Sequence, residues 1–293
     1  MVQLDLGPAD LSAVARFVAE QQHDPASHIG YLSLDPEPVA AELAALEPVG
    51  TDGLVVAVDR GRLVGVIAAE WDTDPPRCWW HGPFVARGVD PTEVADALLA
   101  RARTLLPVEV TQEEACGDAR HAWLEDWAGP HGFVAQEASA VLARRLDTDL
   151  PTRTVVTVPG TVLDAVQRAA VATLHDRLFV DTHTPGARLV ADDADRLLAV
   201  LDGDRPVGYA VVERHEDGSG YLDFLGVDPT ARGHGVGTGL VAAACAELRT
   251  TFRCDRAHLT VRVGNAAARR VYAATGFVEE RVLVPLRRGF ALP

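Results

Sequence analysis

Cysteine is scarce in this 293-residue sequence: Cys78, Cys116, Cys245 and Cys254 form no CxxC pair, and no histidine stands at metal-ligand spacing from them. Zinc modules and a disulfide framework are therefore both unsupported, and reduced, mostly buried thiols with no metal are expected. No run of 18 apolar residues is present, which excludes a membrane-spanning helix. The opening MVQLDLGPADL carries acids where a secretory signal would be basic and then apolar, so a cytoplasmic location is expected. Basic residues are also short: 27 against 42 acids, a net charge of −15, with arginine rather than lysine supplying the basic side. That balance argues against nucleic acid as a partner, because no basic cluster is visible, and no membrane partner is expected. Acidic excess suits a cationic amine substrate, and it equally serves solubility. The alanine-, arginine- and valine-rich composition suggests a GC-rich bacterial source.

What is present describes a globular protein. Hydrophobic residues make up 48% and charged residues 24%, and the length allows two domains of ordinary size. In the first half, the pattern predicts a strand over Val2–Leu6, a helix carrying Leu11, Val14, Ala15 and Val18 on one face, and a second helix over Pro36–Leu46. A hairpin follows over Leu54–Trp71 around Asp59-Arg60-Gly61. A strand over Arg77–Val85, a helix from Pro91, a weak strand at Val108–Val110 and a helix over Ala119–Trp127 come next. Leu150-Pro151-Thr152 reads as a junction. Beyond it come a strand over Thr154–Val158, a helix over Gly160–Phe179, a polar loop over Asp181–Gly186 and an acidic segment, Asp192–Asp195. A second hairpin, Leu197–Arg214, then repeats the first. Gly65 corresponds to Gly208 at an offset of 143 residues, and Gly132-Phe133 to Gly276-Phe277 at 144. A repeat of that length is a duplicated domain rather than a solenoid, giving domains 1–149 and 150–293.

The most informative run is Tyr221–Gly239, an apolar strand broken at Asp228-Pro229 and followed by Gly233, Gly235, Gly237 and Gly239 leading into a helical pattern. Strand, glycine turn and helix start together can hold an anion, because backbone N–H groups converge there and the helix adds its positive end. A tight turn alone would also use glycines. The spacing is neither that of a GxxxxGK[ST] loop nor that of a dinucleotide fingerprint.

Two signatures give the run a context. Arg232, Gly235 and Gly237 match [RQ]-x-x-G-x-[GA], and Asn265, Ala268, Tyr272, Gly276 and Phe277 match N-x-x-A-x-x-x-Y-x-x-x-G-F. In both motifs and their order the sequence resembles the GCN5-related N-acetyltransferases (GNAT), well over Arg153–Arg288 and only by shape over Val2–Leu146. The resemblance implies an α/β (α+β) fold of two tandem acyl-CoA N-acyltransferase domains, each a mixed, mostly antiparallel sheet flanked by helices. Applied backward, the repeat offset puts Val89, Thr92, Val94, His121 and Ala128 at the motif positions, so the first domain is expected to be a degenerate copy without the cofactor signature.

For the second domain the resemblance implies one acetyl-CoA and no metal. Leu225, Gly226 and Val227 would pair with the pantetheine arm. Backbone N–H groups of Arg232, Gly233, His234, Gly235, Val236, Gly237 and Thr238 would hold the pyrophosphate, and Asn265 and Ala268 would border the arm. Tyr272 would give a proton to the departing thiolate. Asp223 is the best placed base for the incoming amine, with Glu213 and His215 as alternatives. The implied reaction is direct acetyl transfer to a primary amine of a small acceptor. Two domains with only the second intact also resemble the layout of mycothiol synthases, which acetylate a cysteinyl pseudodisaccharide. Acetylation of a protein N-terminus or lysine, and a non-catalytic acyl-CoA-binding role, are the competing expectations, with the chain a monomer or a homodimer.

Overall fold

The computed structural model describes residues 3–6, 10–147, 152, 155–180, 182, 184–192 and 194–289. Val2, the junction residues Leu150 and Pro151, Thr154, Asp181 and Asp193 lie outside them. The chain forms two compact units, Met1–Ser139 together with Arg281–Pro293, and Ala140–Glu280. Among the described residues no helix is long and apolar enough to cross a membrane, and no group of three or more His, Cys, Asp or Glu stands together as a metal site.

The first unit contains β1 (Gln3–Leu6), α1 (Leu11–Gln22), α2 (Pro36–Ala45), β2 (Leu54–Asp59), β3 (Arg62–Thr73), β4 (Pro76–Val85), α3 (Pro91–Arg103), β5 (Gln112–Asp118), α4 (Ala122–Ala128) and β6 (Val134–Ala135). Its sheet runs β1-β2-β3-β4-β5 and is completed by Leu283–Arg288 of the chain's last strand, which pairs antiparallel with β5. All pairings are antiparallel except β4 with β5. The β2–β3 hairpin turns at Arg60-Gly61, both in the left-handed region, as the Asp-Arg-Gly run requires.

The strand expected at Val108–Val110 is a turn, and the real strand is the polar stretch QEEACGD of β5. Its two glutamates are buried because each has partners. Glu113 accepts from Trp80 Nε1 at 3.0 Å and Arg103 Nε at 2.9 Å and pairs with Arg288. Glu114 accepts from the Tyr31 hydroxyl at 2.6 Å and from Arg287 Nε at 2.7 Å. A polar sequence can thus occupy a strand core when every charge is answered.

β4 and β5 share four parallel rungs, Arg77↔Gln112 to Trp80↔Ala115, and then separate. The opening is filled by the chain itself. Gly30 N–H donates to Cys116 O at 2.7 Å, Asp118 N–H donates to His28 O at 3.0 Å, and Ile29 bridges Gly117. The Gln22 side chain holds that insert, accepting from Ile29 N–H and donating to the carbonyls of Ile29 and Leu32. His28 donates from Nδ1 to Gln22 O at 3.0 Å and meets the Arg281 guanidinium. Burial, and then the Arg281 charge, pull the His28 imidazole down to about 4.

The second unit contains β7 (Ser139–Arg145), β8 (Val158–Pro159), α5 (Ala165–Leu178), α6 (Gly186–Asp192), β9 (Leu197–Asp202), β10 (Arg205–Arg214), β11 (Gly220–Val227), α7 (Val236–Thr250), β12 (Arg256–Arg262), α8 (Ala266–Ala274) and the start of β13 (Val278–Arg288). The sheet order is β7-β12-β11-β10-β9-β8. The helix expected from Gly160 begins only at Ala165, after a short 3-10 turn, because Asp164 and Gln167 form a reciprocal capping box there. Helix α6, not expected from the sequence, runs through Asp192, the first residue of the acidic segment.

Two cores sandwich this sheet. One gathers Leu240, Val241, Ala244, Cys245 and Leu248 of α7 with Leu222, Leu259 and Tyr272. The other gathers Leu174 and Val171 of α5 with Tyr209, Val211 and Phe224. Gly65 and Gly208 occupy equivalent places. A Cβ on Gly65 would meet Val94 and Leu98 of α3 at 2.6 and 3.0 Å, and one on Gly208 would meet Val236 and Leu240 of α7 at 3.0 Å.

Two outcomes are expected. Glu113→Ala leaves two arginines and the Trp80 N–H without their acceptor and should cost about 2–3 kcal/mol in chemical denaturation of the first unit. Because His28 is neutral when folded and takes a proton near pH 6.5 when unfolded, stability should fall from pH 6.5 towards 4 by up to about 1.4 kcal/mol per pH unit from this group. His28→Asn, which cannot titrate, should flatten that slope in pH-dependent melts.

Candidate functional site

β11 is the strand on which the site is built. It pairs with β10 along its length, but the register slips between Val211 and Val212, so that Asp223 is an extra residue opposite no partner. A bulge of this kind turns the strand. Before it, Leu222 belongs to the α7 core; after it, Phe224 belongs to the α5 core.

With β12 the pairing is parallel and brief, at Gly220↔Ala257 and Tyr221↔His258. Beyond Tyr221 the strands diverge. Asp228 N–H donates to Val207 O at 2.9 Å, so Gly226 and Asp228 turn their backbone groups to β10, while Leu225 and Val227 turn theirs into the opening. From Tyr221 to Val227 is about 20 Å of extended chain at roughly 3.3 Å per residue.

At the far end of that run is the glycine loop. Gly233 and Gly235 have φ of +81° and +80°, a conformation that requires glycine, and no atom lies within 4 Å of where their Cβ would be. Gly235 precedes α7 without any side-chain cap. The first N–H groups of α7, on Val236, Gly237 and Thr238, therefore face outward at the positive end of a 15-residue helix. His234 is exposed beside them. The Arg232 side chain donates to Val227 O at 3.3 Å, so it closes the loop.

Asp228, which the sequence showed only as a break, is the brace. It caps the following turn through Thr230 and accepts from Arg177 at 3.1 Å and Arg205 at 2.8 Å. The Thr230 hydroxyl and backbone bonds, with the two guanidiniums, hold its carboxyl well below the usual range.

The equivalent helix start in the first unit is closed. Asp90 caps α3, accepting from Thr92 N–H at 2.9 Å and Glu93 N–H at 3.3 Å.

On the α8 side, Asn265 caps the helix by accepting from Ala268 N–H at 3.1 Å. Tyr272 lies two turns on and is buried; its ring meets Phe277 edge-on at 6.0 Å. Its hydroxyl has no hydrogen-bond partner among the described residues. Burial pushes the phenol up to about 12. Gly276 ends the helix at φ +85° and Phe277 enters the core.

A second cluster stands where β11 and β12 part. The rings of Tyr221, His215 and His258 form a triangle with centroids 4.9 to 5.0 Å apart. Glu213 faces His215 Nε2 at 3.2 Å and accepts from Arg196 at 2.6 Å. Burial first, and then the electrostatic influence of His215 and Arg256, bring His258 down to about 4, and its Nδ1 is buried without a partner. Burial and the Asp223 charge raise the Tyr221 phenol above its usual range. At neutral pH, then, Tyr221 and Tyr272 are held protonated and His258 is held neutral.

Asp223, Glu213 and His215 are brought to one end of the opening, and the glycine loop to the other. Asn265 and Tyr272 share α8. His258 was missed, although it alternates along β12 with the core residues Ala257, Leu259 and Val261, a period of two that marks it as facing the other way.

The profile of the Acetyltransferase (GNAT) family matches residues 165–277. A mycothiol acetyltransferase of Saccharopolyspora erythraea is 30% identical over 277 residues, covering 82% of this chain and 85% of that protein. Those of Actinosynnema mirum and Salinispora tropica match over 29% of their length, at 41% and 42% identity. Among solved structures, a GCN5-related N-acetyltransferase from Sphaerobacter thermophilus superposes with a TM-score of 0.76 at 17% identity, covering 98% of this chain and 95% of that one. A tandem GNAT protein from the clavulanic acid biosynthesis pathway does so at 0.66 and 15% over the whole of both chains. Those two likenesses carry the tandem fold, and the family profile with the Saccharopolyspora relative carries the kinship. The chain is a member of the GNAT acetyltransferase family, homologous to the mycothiol acetyltransferases, and its general chemistry is acetyl transfer from acetyl-CoA.

Proposed function

We propose that the second unit is the catalytic N-acetyltransferase and that it moves the acetyl group directly to a primary amine of a small acceptor. The observation that carries this reading is the divergence of β11 from β12 after Tyr221↔His258, with an uncapped helix N-terminus at the other end of the exposed strand. The opening presents the N–H and C=O groups of Leu225 and the N–H of Val227 to an extended amide-bearing arm, and the loop Arg232–Thr238 presents N–H groups to a pyrophosphate. Acetyl-CoA has those two parts in that order. Asn265 and Ala268 border the arm from α8.

Acetyl-CoA supplies the activated thioester when bound. A backbone N–H at Leu225–Val227 holds the carbonyl oxygen as negative charge develops. Tyr272, protonated through the whole neutral range, gives its proton to the thiolate. The amine must first lose a proton. Asp223, on the bulge, is the assigned acceptor of that proton, with the Glu213–His215 pair beside it as the alternative, since Tyr221 is already protonated and His258, pulled down to about 4, is a weak proton acceptor.

The first unit is read as a degenerate copy whose two cofactor contacts are met internally. His28–Gly30 fills its strand opening, and Asp90 occupies its helix N-terminus. Domain bounds of 1–149 and 150–293 describe the duplication in sequence.

A second reading of the acceptor is favoured by the Saccharopolyspora relative: a cysteinyl glycoside of the mycothiol type.

A panel of amines, including polyamines, aminoglycosides, a cysteinyl glucosaminide and peptide N-termini, with CoA release as readout, tests both. Tyr272→Phe should lower kcat on the best amine by about 10²-fold with little change in acetyl-CoA affinity. An unchanged kcat would remove Tyr272 from the chemistry, and CoA binding without turnover of any amine would leave a binding protein. Calorimetric titration should give one acetyl-CoA per chain. Two sites per chain would contradict the closed first unit.

A further inference from the structure

His175 is fully buried, titratable, and not used by the chemistry above. Its Nε2 lies 2.9 Å from Thr184 O, which can only accept, so Nε2 carries the proton. Nδ1 lies 2.6 Å from the Tyr209 hydroxyl, and in the Nε2–H tautomer it accepts from that hydroxyl. Aromatic contacts fix the ring's plane: Phe179 stacks on it at 5.2 Å and Phe224 meets it edge-on at 4.7 Å.

Tyr209 is equally confined. It is the cross-strand partner of Gly226, and its ring covers that residue so closely that a Cβ on Gly226 would lie 2.4 Å from Cε1. The glycine of the exposed strand is thus demanded by a tyrosine on the neighbouring strand, and the tyrosine's orientation is set by an imidazole on α5. On its other side the same imidazole holds Thr184, two residues before α6. Gly186 is fixed there too, its N–H donating to Asp176 at 2.6 Å and a Cβ excluded by Ala172 O at 2.3 Å.

We propose that His175 and Tyr209 are positioning residues: the imidazole joins the Thr184 backbone to the Tyr209 ring, and that ring sets the place of Gly226, so that the flanking N–H groups of Leu225 and Val227 meet the thioester in register. This rests on the function proposed above for the β11 opening. The pair touches no reacting atom and acts through the strand. A displacement of that strand by a fraction of an ångström would weaken its donors to the developing oxyanion while leaving the glycine loop's grip on the pyrophosphate intact.

Tyr209→Phe and His175→Phe, each in the full chain, provide the test, with rates expressed per folded molecule. Each should lower kcat on the best amine by about tenfold, with KM for acetyl-CoA within about twofold, and the double variant should be no worse than the poorer single one because both break one linkage. A purely structural role would lower melting temperature and folded fraction but leave kcat per folded molecule at the wild-type value, which would overturn the proposal. A second readout does not depend on turnover. Amide hydrogen exchange at Gly226 and Asp228, whose backbone groups pair with β10, should rise at least about tenfold in both variants while that of α7 stays unchanged. Wild type that transfers acetyl to no amine would sink the proposed function, and the exchange data would still decide the linkage. Unchanged exchange would sink the linkage even in an active enzyme.

Discussion

A strand that leaves its neighbour must find other partners for its peptide groups, and most of this protein's local design answers that demand. β11 and β12 run in parallel and separate after two rungs. Buried N–H and C=O groups left without partners are costly, so a divergence inside a sheet is stable only if something enters it. In the second unit the geometry suits an extended amide chain. In the first unit the same divergence, after four rungs of β4 with β5, is met by His28–Gly30 of the chain itself. The demand is common to both units and the answer differs.

The helix starts show the same division. α7 begins at a left-handed glycine with no side-chain acceptor, whereas α3 begins under the Asp90 carboxylate. A capped N-terminus has spent on its own side chain the donors that a phosphate would use. Asp228 makes the open loop possible by gathering Thr230, Arg177 and Arg205 at its base, so that the turn is held from behind and its outer surface is left to a ligand.

Much of this was legible in the residues. The paired hairpins, the glycine run, Asn265 as a cap and Gly276-Phe277 as a terminator follow from periodicity and turn chemistry, which depend on neighbours in sequence. What was not legible depends on neighbours in space. β5 was missed because Glu113 and Glu114 look like surface residues until Arg288, Arg287, Trp80 and Tyr31 are beside them. The helix from Ala165 was misplaced by five residues because Gly160 was given a start that Asp164 supplies. His175 and His258 carry no motif at all. One is recognised only when Tyr209 and Thr184 are found at its two nitrogens, the other only when the last rung of a ladder is seen to fall on it. The first unit's insert belongs to the same class, since nothing in HIG announces a strand partner.

The last strand has a bearing on how the chain can be divided. Residues 281–289 complete the sheet of the first unit, with Arg287 and Arg288 answering the two buried glutamates of β5. The second unit is therefore, in covalent terms, a passenger carried between two pieces of the first. A cut between residues 139 and 281 would give an amino-terminal fragment lacking the strand and the two counter-charges that complete the sheet of the first unit. The two units are unequal in autonomy: the second is inserted in the chain between residues 139 and 281 of the first.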